Sequence, residues 1–244
     1  MGYREYLPHP SLREYIDAYW IVESENSFAT THRIYPDGCI DIIINLGNDF
    51  STDSGGFTMM NERAYLVGTM TRYKDTVRQP GSLLLGIRFK PLGFPSFFKF
   101  HSLHEIKDNT IEFDRSLAPG IHELNENTFD ILDKFFFNKL DTRPQRLNHL
   151  LNDMRSKKGN FSIDAMAKRH STTTRQLERN FKAYIGVSPK EYANFLRYRN
   201  AAGLIASHSG KKDLLDIALA AGYYDHAHMT NEIRRYTGVT PSQL

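Results

Sequence analysis

Phe181-Lys182-Ala183-Tyr184-Ile185-Gly186-Val187-Ser188-Pro189 returns 52 residues later as Ile233-Arg234-Arg235-Tyr236-Thr237-Gly238-Val239-Thr240-Pro241. An apolar residue, a base, a tyrosine, Gly-Val, a hydroxyl and a proline recur in the same places, which marks an internal repeat. Upstream of each copy lies the same order of short helix, tight turn and second helix. In the first unit Ile163 to His170 is the short helix and Ser171-Thr172 the turn; Thr173 caps the next helix, with Gln176 completing a capping box. In the second unit Leu214 to Ala221 is the short helix, Gly222 takes the left-handed position that ends it, and Asp225 caps the second helix. This is helix-turn-helix grammar, in which the second helix enters the DNA major groove with its N-terminal residues at the base edges.

Helical spacing sorts the side chains of each second helix. Leu177, Phe181 and Tyr184 form one apolar stripe, so Arg175, Glu178, Arg179 and Lys182 lie on the opposite, mostly cationic face. In the second unit Met229, Ile233 and Tyr236 form the stripe. Ala227, Thr230, Asn231 and Arg234 stand opposite, with His226 and His228 at the exposed first turn. Between the units, Ser188 and Pro189 open a helix that runs to about Ser207. At 1.5 Å per residue it is roughly 28 Å long, near the ~34 Å between successive major-groove segments on one side of B-DNA. One chain could therefore read two adjacent grooves.

The 244 residues are enough for one large domain or two ordinary ones, and 40% hydrophobic, 24% charged and 12% aromatic residues place the chain among globular proteins. The net charge of +3 hides an asymmetry. Residues 1–142 hold 14 Lys and Arg against 20 Asp and Glu, a net of −6, whereas residues 143–244 hold 17 against 8, a net of +9. A basic half of this kind points to nucleic acid, because clustered cations release condensed counterions from phosphates; a solvated basic surface is the plainer alternative. Cys39 is the one cysteine, which leaves no internal disulfide and no multi-cysteine zinc site and fits a reducing compartment. No run approaches the roughly 20 apolar residues of a membrane helix, and the charged N-terminus carries no export or anchoring signal. A cytoplasmic location away from membranes is expected.

The acidic half is β-rich up to about residue 90. Expected strands are Ala18 to Glu23, His32 to Tyr35, Ile40 to Leu46, Ala64 to Met70, Asp75 to Arg78 and Ser82 to Phe89. Turns fall at Pro36-Asp37-Gly38, Asp53-Ser54-Gly55-Gly56 and Pro80-Gly81, and short strands so separated suggest a barrel or sandwich. From Pro91 the pattern turns helical, with Phe129, Leu132, Asp133 and Phe136 in a segment ending near Leu140 and a linker at Asp141-Thr142-Arg143-Pro144. Further turns are expected at Lys158-Gly159-Asn160 and Ser209-Gly210.

The residues from about 145 to 244 resemble the AraC/XylS family of bacterial transcription regulators. Thr173, Arg175, Leu177, Arg179 and Phe181 match its first recognition-helix pattern. Gly186-Val187-Ser188-Pro189, Ile217-Ala218, Gly222-Tyr223, Asp225, Tyr236, Gly238 and Thr240-Pro241 match the rest. The chain departs from the family pattern at Ser171, Ala227, Met229, Asn231 and Ile233. Asn231 matters most, since it replaces a groove-facing cation. Tyr19-Trp20, Pro36-Asp37-Gly38-Cys39-Ile40-Asp41, Val67-Gly68-Thr69-Met70 and Gly86-Ile87-Arg88-Phe89 are similar to sensor regions that accompany this domain, which implies small-molecule sensing or dimerisation. Ada-type repair proteins share the helical domain, but Cys39 alone cannot build their four-cysteine zinc module.

The expected fold is α+β. A β-barrel or sandwich-like sensor or dimerisation domain with helical connectors spans 1–142, and an all-α domain of two helix-turn-helix units joined by a linker helix spans 143–244. The expected function is sequence-specific, double-stranded DNA binding in transcription regulation, controlled by a small-molecule effector, and not catalysis. A homodimer is expected, with RNA polymerase as partner if the protein activates. Arg175 and Arg179 are expected at base edges, with Thr174, Glu178, His226, His228 and Asn231 behind them, while Lys182, Arg234 and Arg235 position the DNA backbone.

Arg33, Asp41 and Arg88 are effector-site candidates if they point inward, against the commoner outward orientation of strand charges. The alternative function is a ligand-binding or enzyme-like β domain tethered to a helical interaction domain. No cofactor is expected. His101 and His104, three apart, lack a third metal ligand nearby and read as surface or interface residues. Phe94, Phe97, Phe98 and Phe100 read as core, Cys39 as a small buried hydrophobe, and Lys211-Lys212 as a solvated pair near a helix start. Gly-x-Ser-x-Gly and phosphate-binding glycine loops are missing.

Overall fold

The computed structural model describes residues 2–24, 28–52, 56–141, 147–208 and 213–244. The expected turns at 53–55 and 209–210, the linker around 142–144 and the Lys211-Lys212 pair lie outside them. Among the described residues ten strands form two antiparallel sheets packed as a sandwich. The larger has the order β1 (Gly2–Tyr6), β2 (Ile16–Glu23), β9 (Leu83–Phe89), β4 (Ile40–Asn45), β7 (Ala64–Val67) and β10 (Thr110–Phe113). The smaller has the order β3 (Thr30–Ile34), β8 (Lys74–Arg78), β5 (Phe50–Thr52) and β6 (Phe57–Met59). Among the described residues the sheets stay open, so the sandwich reading holds and the barrel does not.

Strand periodicity explains why the central strands read as nearly continuous apolar runs. Successive side chains alternate between faces, and both faces of the larger sheet are covered. Ile16, Tyr19, Ile21, Ile42, Ile44, Leu85, Ile87 and Phe89 point to one core, where α1 (Thr128–Lys139) contributes Leu132 and Phe136. Trp20, Val22, Ile43 and Leu84 point the other way, toward the smaller sheet. Phe94, Phe97 and Phe98 are buried in the first core, as expected, with Phe100 packed at its edge.

The strands that the sequence did not reveal are β1, β10, β5 and β6. Three of them are sheet edges, covered on one side only, and β5 and β6 are three residues long. β10 interrupts the stretch expected to be helical and pairs with β7. β7 ends at Val67, short of the expected Met70. Gly68 then presses against Ile106, whose carbonyl oxygen lies 1.9 Å from where a Cβ would stand.

The helical half is α2 (Leu147–Ser156), α3 (Ile163–Arg169), α4 (Thr174–Tyr184), α5 (Pro189–His208), α6 (Leu214–Ala220) and α7 (His226–Thr237). Its core gathers Met154, Leu177, Phe181, Tyr198, Ile217, Met229, Ile233 and Tyr236. Ser188 and Glu191 cap α5 reciprocally, the Glu191 N–H donating to Ser188 Oγ at 3.1 Å and the Ser188 N–H to Glu191 Oε2 at 2.8 Å.

Gly86 lies directly opposite Trp20 in the β2–β9 register, and a Cβ there would come within 1.9 Å of the indole. Gly86→Ala is expected to lower stability by about 1 to 3 kcal/mol through overpacking. The check is urea unfolding followed by tryptophan emission, with a lower midpoint at unchanged slope.

Candidate nucleic-acid interface and effector cavity

Both helix-turn-helix units form as the sequence requires. In the first, α3 ends and Ser171 turns the chain at φ +51°, the left-handed region that glycine adopts most cheaply. In the second, Gly222 takes the equivalent turn at φ +85°. Thr173 and Asp225 cap α4 and α7, accepting the N–H groups of Gln176 at 3.1 Å and His228 at 2.7 Å. The capping box expected at Thr173 is only half made. Gln176 donates to Asn180 Oδ1 at 2.8 Å and accepts from Arg179 at 2.6 Å, so its side chain runs down the helix rather than back to the cap.

The buried stripes are Leu177 and Phe181 on α4, and Met229, Ile233 and Tyr236 on α7. Tyr184, expected in the first stripe, is 45% exposed: it ends α4, where the chain turns away toward Ile185 and the core beneath that turn. Thr174, Arg175, Arg179 and Lys182 are exposed and Glu178 half-buried, with Thr174 Oγ1 donating to Asp164 at 2.7 Å. His226, His228, Asn231, Arg234 and Arg235 are exposed on α7, with His228 set edge-on to Tyr223. Each set of residues singled out from the sequence thus shares a solvent-facing helix surface.

Between the two sheets lies a cavity of about 460 Å³, and Arg33, Asp41 and Arg88 all line it. Asp41 and Arg88 take the inward orientation, whereas Arg33 only borders the cavity: it pairs with Asp75, on the face of its sheet opposite Thr76 and Arg78, so its guanidinium points outward. Asp41 and Arg88 face each other across β4 and β9. Asp41 Oδ1 accepts from Trp20 Nε1 at 2.7 Å and stands 3.8 Å from Arg88 Nε. Arg88 also donates to Glu5 at 2.8 Å and to Tyr3 at 3.1 Å, and its Nε lies 3.1 Å from Asp37. One guanidinium is thus shared among several carboxylates. Burial, reinforced by the neighbouring Asp37, pushes Asp41 up to about 7, and burial raises Asp37 as well. Burial likewise raises the Cys39 thiol well above its ordinary value, which suits a small inert side chain.

Tyr3, Trp20, Asp37, Thr52 and Arg78 join this cavity and were not singled out from the sequence as site residues. Their signal was parity. Leu84, Gly86 and Arg88 alternate on one face of β9, as Lys74, Thr76 and Arg78 do on β8, and the opposite parity of β9 is wholly apolar.

The two halves touch at defined points. Thr69 Oγ1 donates to the Ile185 carbonyl at 2.6 Å and His104 Nδ1 lies 2.9 Å from the Gly186 carbonyl. Lys107 pairs with Glu191 at 2.9 Å. Arg33 binds Asp75, lies over the Tyr73 ring and donates to the Thr237 carbonyl at 3.3 Å. His101 points elsewhere and pairs with Glu105, so the two histidines part.

Ser171→Gly is expected to raise stability by about 0.5 to 1 kcal/mol by relieving a left-handed non-glycine residue, measured by urea unfolding. For Asp41, a pKa raised in the folded state means stability present at acid pH and lost as pH rises toward 7. Asp41→Asn is expected to flatten that decline, seen in unfolding midpoints between pH 4 and 8.

A model of a domain of unknown function (DUF6597) matches residues 4–112, and a helix-turn-helix domain model matches residues 166–244. The HTH-type transcriptional regulator MtrA of Neisseria gonorrhoeae is 29% identical over 100 residues, covering 41% of this chain and 33% of that protein. The HTH-type transcriptional activator RhaS of Escherichia coli O139:H28 is 35% identical over 81 residues, covering 33% of this chain and 28% of that protein. The chain spans about a third of the length of the curated relatives it matches. A transcriptional regulator with an AraC-type DNA-binding domain from Chromobacterium violaceum is 29% identical over 40% of this chain and 87% of that one, with a TM-score of 0.37. ToxT from Vibrio cholerae O395 is 11% identical over 92% of this chain and 94% of that one, with a TM-score of 0.48. From residue 166 onward the chain is an AraC-type helix-turn-helix domain, preceded by a region of the DUF6597 type.

Proposed function

We propose that the protein is a cytoplasmic, sequence-specific DNA-binding transcription regulator whose DNA affinity is set by a small molecule in the cavity between the sheets, and that it does no catalysis. The observation that carries this reading is the pair of capped recognition helices, each with its apolar stripe buried and its polar face in solvent. The working division is a sensor domain over 1–142 and a DNA-binding domain over 143–244.

Arg175 and Arg179 are assigned to base edges, where a guanidinium fork matches the two major-groove acceptors of guanine. Thr174, Glu178, His226, His228 and Asn231 support them, and Lys182, Arg234 and Arg235 position the phosphates. The linker helix α5 is 20 residues, about 30 Å long, and sets the two units on adjacent major-groove segments. A second copy of the chain is the proposed partner on DNA, and RNA polymerase the partner if the protein activates.

The test is a mobility-shift titration of the full chain against a selected operator and an unrelated duplex, across salt concentrations. Arg179→Ala is expected to cost about 1 to 3 kcal/mol on the operator and less on the unrelated duplex. Equal loss on both would move Arg179 to a phosphate contact, and no binding at any salt would refute the regulator reading.

A further inference from the structure

Three buried polar atoms of the cavity's lining residues have no hydrogen-bond partner among the described residues, Nη1 of Arg78, Oγ1 of Thr52 and Nε of Arg88; the last stands in an ion pair with Asp37 at 3.1 Å, which leaves the first two unanswered. Arg78 is 9% exposed and Thr52 6%. The two come from adjacent strands, since Ser51 pairs with Val77 in the antiparallel register of β5 and β8, and both line the cavity. A buried guanidinium stays protonated and is costly without a counter-charge.

Among the described residues no carboxylate at the cavity is free to answer it. Asp37 and Asp41 stand against Arg88, and Asp75 is held by Arg33. Lys74 and Arg88, further cationic side chains of the wall, are each engaged with a neighbour. The remainder is largely apolar, with Trp20, Ile43, Phe50 and Leu84 prominent. A volume of about 460 Å³ falls within the range of small-molecule sites.

We propose that this cavity binds a small organic carboxylate with an apolar body, the carboxylate on Arg78 Nη1 and Thr52 Oγ1 and the body against Trp20 and Ile43. The proposal deepens the regulator reading and rests on it only for the ligand's regulatory role. Arg78 supplies charge and direction, and Thr52 supplies a second donor from the neighbouring strand. The apolar wall excludes the water that would otherwise screen the pair.

Trp20 is the chain's one tryptophan and lines the cavity, so its emission reports occupancy. The probes are octanoate and 3-phenylpropionate, each titrated into the full chain beside its primary amide. At least one carboxylate is expected to change Trp20 emission saturably, with its amide weaker by roughly tenfold or more. Arg78→Gln is expected to weaken the carboxylate by roughly tenfold or more and to leave the amide unchanged. Thr52→Val, a near-isosteric change, is expected to weaken it less but in the same sense, and it carries the test if Arg78→Gln does not fold.

No saturable change with either carboxylate, amides that bind as tightly as the acids, or parent-like binding by Thr52→Val would overturn the proposal. Mobility shifts on the same preparations separate the two readings. DNA binding without carboxylate binding removes the ligand class and leaves the regulator; carboxylate binding with DNA ignored at every salt does the reverse.

Discussion

The strands β2, β9 and β4 must satisfy two apolar layers at once, and most of the N-terminal half depends on that. One parity of side chains completes a core with α1, and the other forms the floor of the cavity. A sheet so covered cannot slip by one residue, because every side chain would change faces and polar groups such as Asp41 and Arg88 would enter the apolar core. Gly86 is what lets Trp20 lie flat across that floor and reach Asp41 with its N–H. The indole therefore ties the packing of the sheet to the charges at the mouth of the site.

Those charges are arranged with little redundancy. Arg88 is shared by Glu5 and Asp37 and lies near Asp41 and Asp17, so its removal would leave several carboxylates facing one another. Such a group behaves as one unit, and burial biases it toward holding protons. Arg78 is the opposite case, a buried cation on the smaller sheet with no hydrogen-bond partner at Nη1 among the described residues.

The helical half was legible in the sequence nearly residue by residue, because its information is local. Caps, left-handed turns and apolar stripes sit within a few residues of one another, as at Asp225, Gly222 and Met229. Ser171 adopts a glycine's conformation without being glycine, so the turn survives a departure from the family pattern. Tyr184 misled because spacing alone placed it on the stripe, while the helix stopped there. The β half was less legible for a physical reason: edge strands such as β1 and β10 carry an apolar signal on one side only. The orientation of Asp41 and Arg88 depended on a second sheet covering the first, and no local pattern states which parity that sheet will cover. Domain-sized charge asymmetry was visible by counting; the partnerless nitrogen of Arg78 was not, since orphanhood is a property of the assembled wall.

The repeat that opens the molecule's grammar also governs its mooring. Gly186 and Gly238, equivalent glycines of the two copies, both lie against the β half, the first beside Leu103 and Thr69 and the second beside Arg33 and Tyr73. Each recognition helix is thereby tethered at its heel, the C-terminal turn, while the toe with Arg175 or His226 stays clear. Duplicating the motif duplicated the tether. The sandwich therefore meets the helical half at two equivalent places, the C-terminal turn of α4 and that of α7, while one shared apolar core holds both helices.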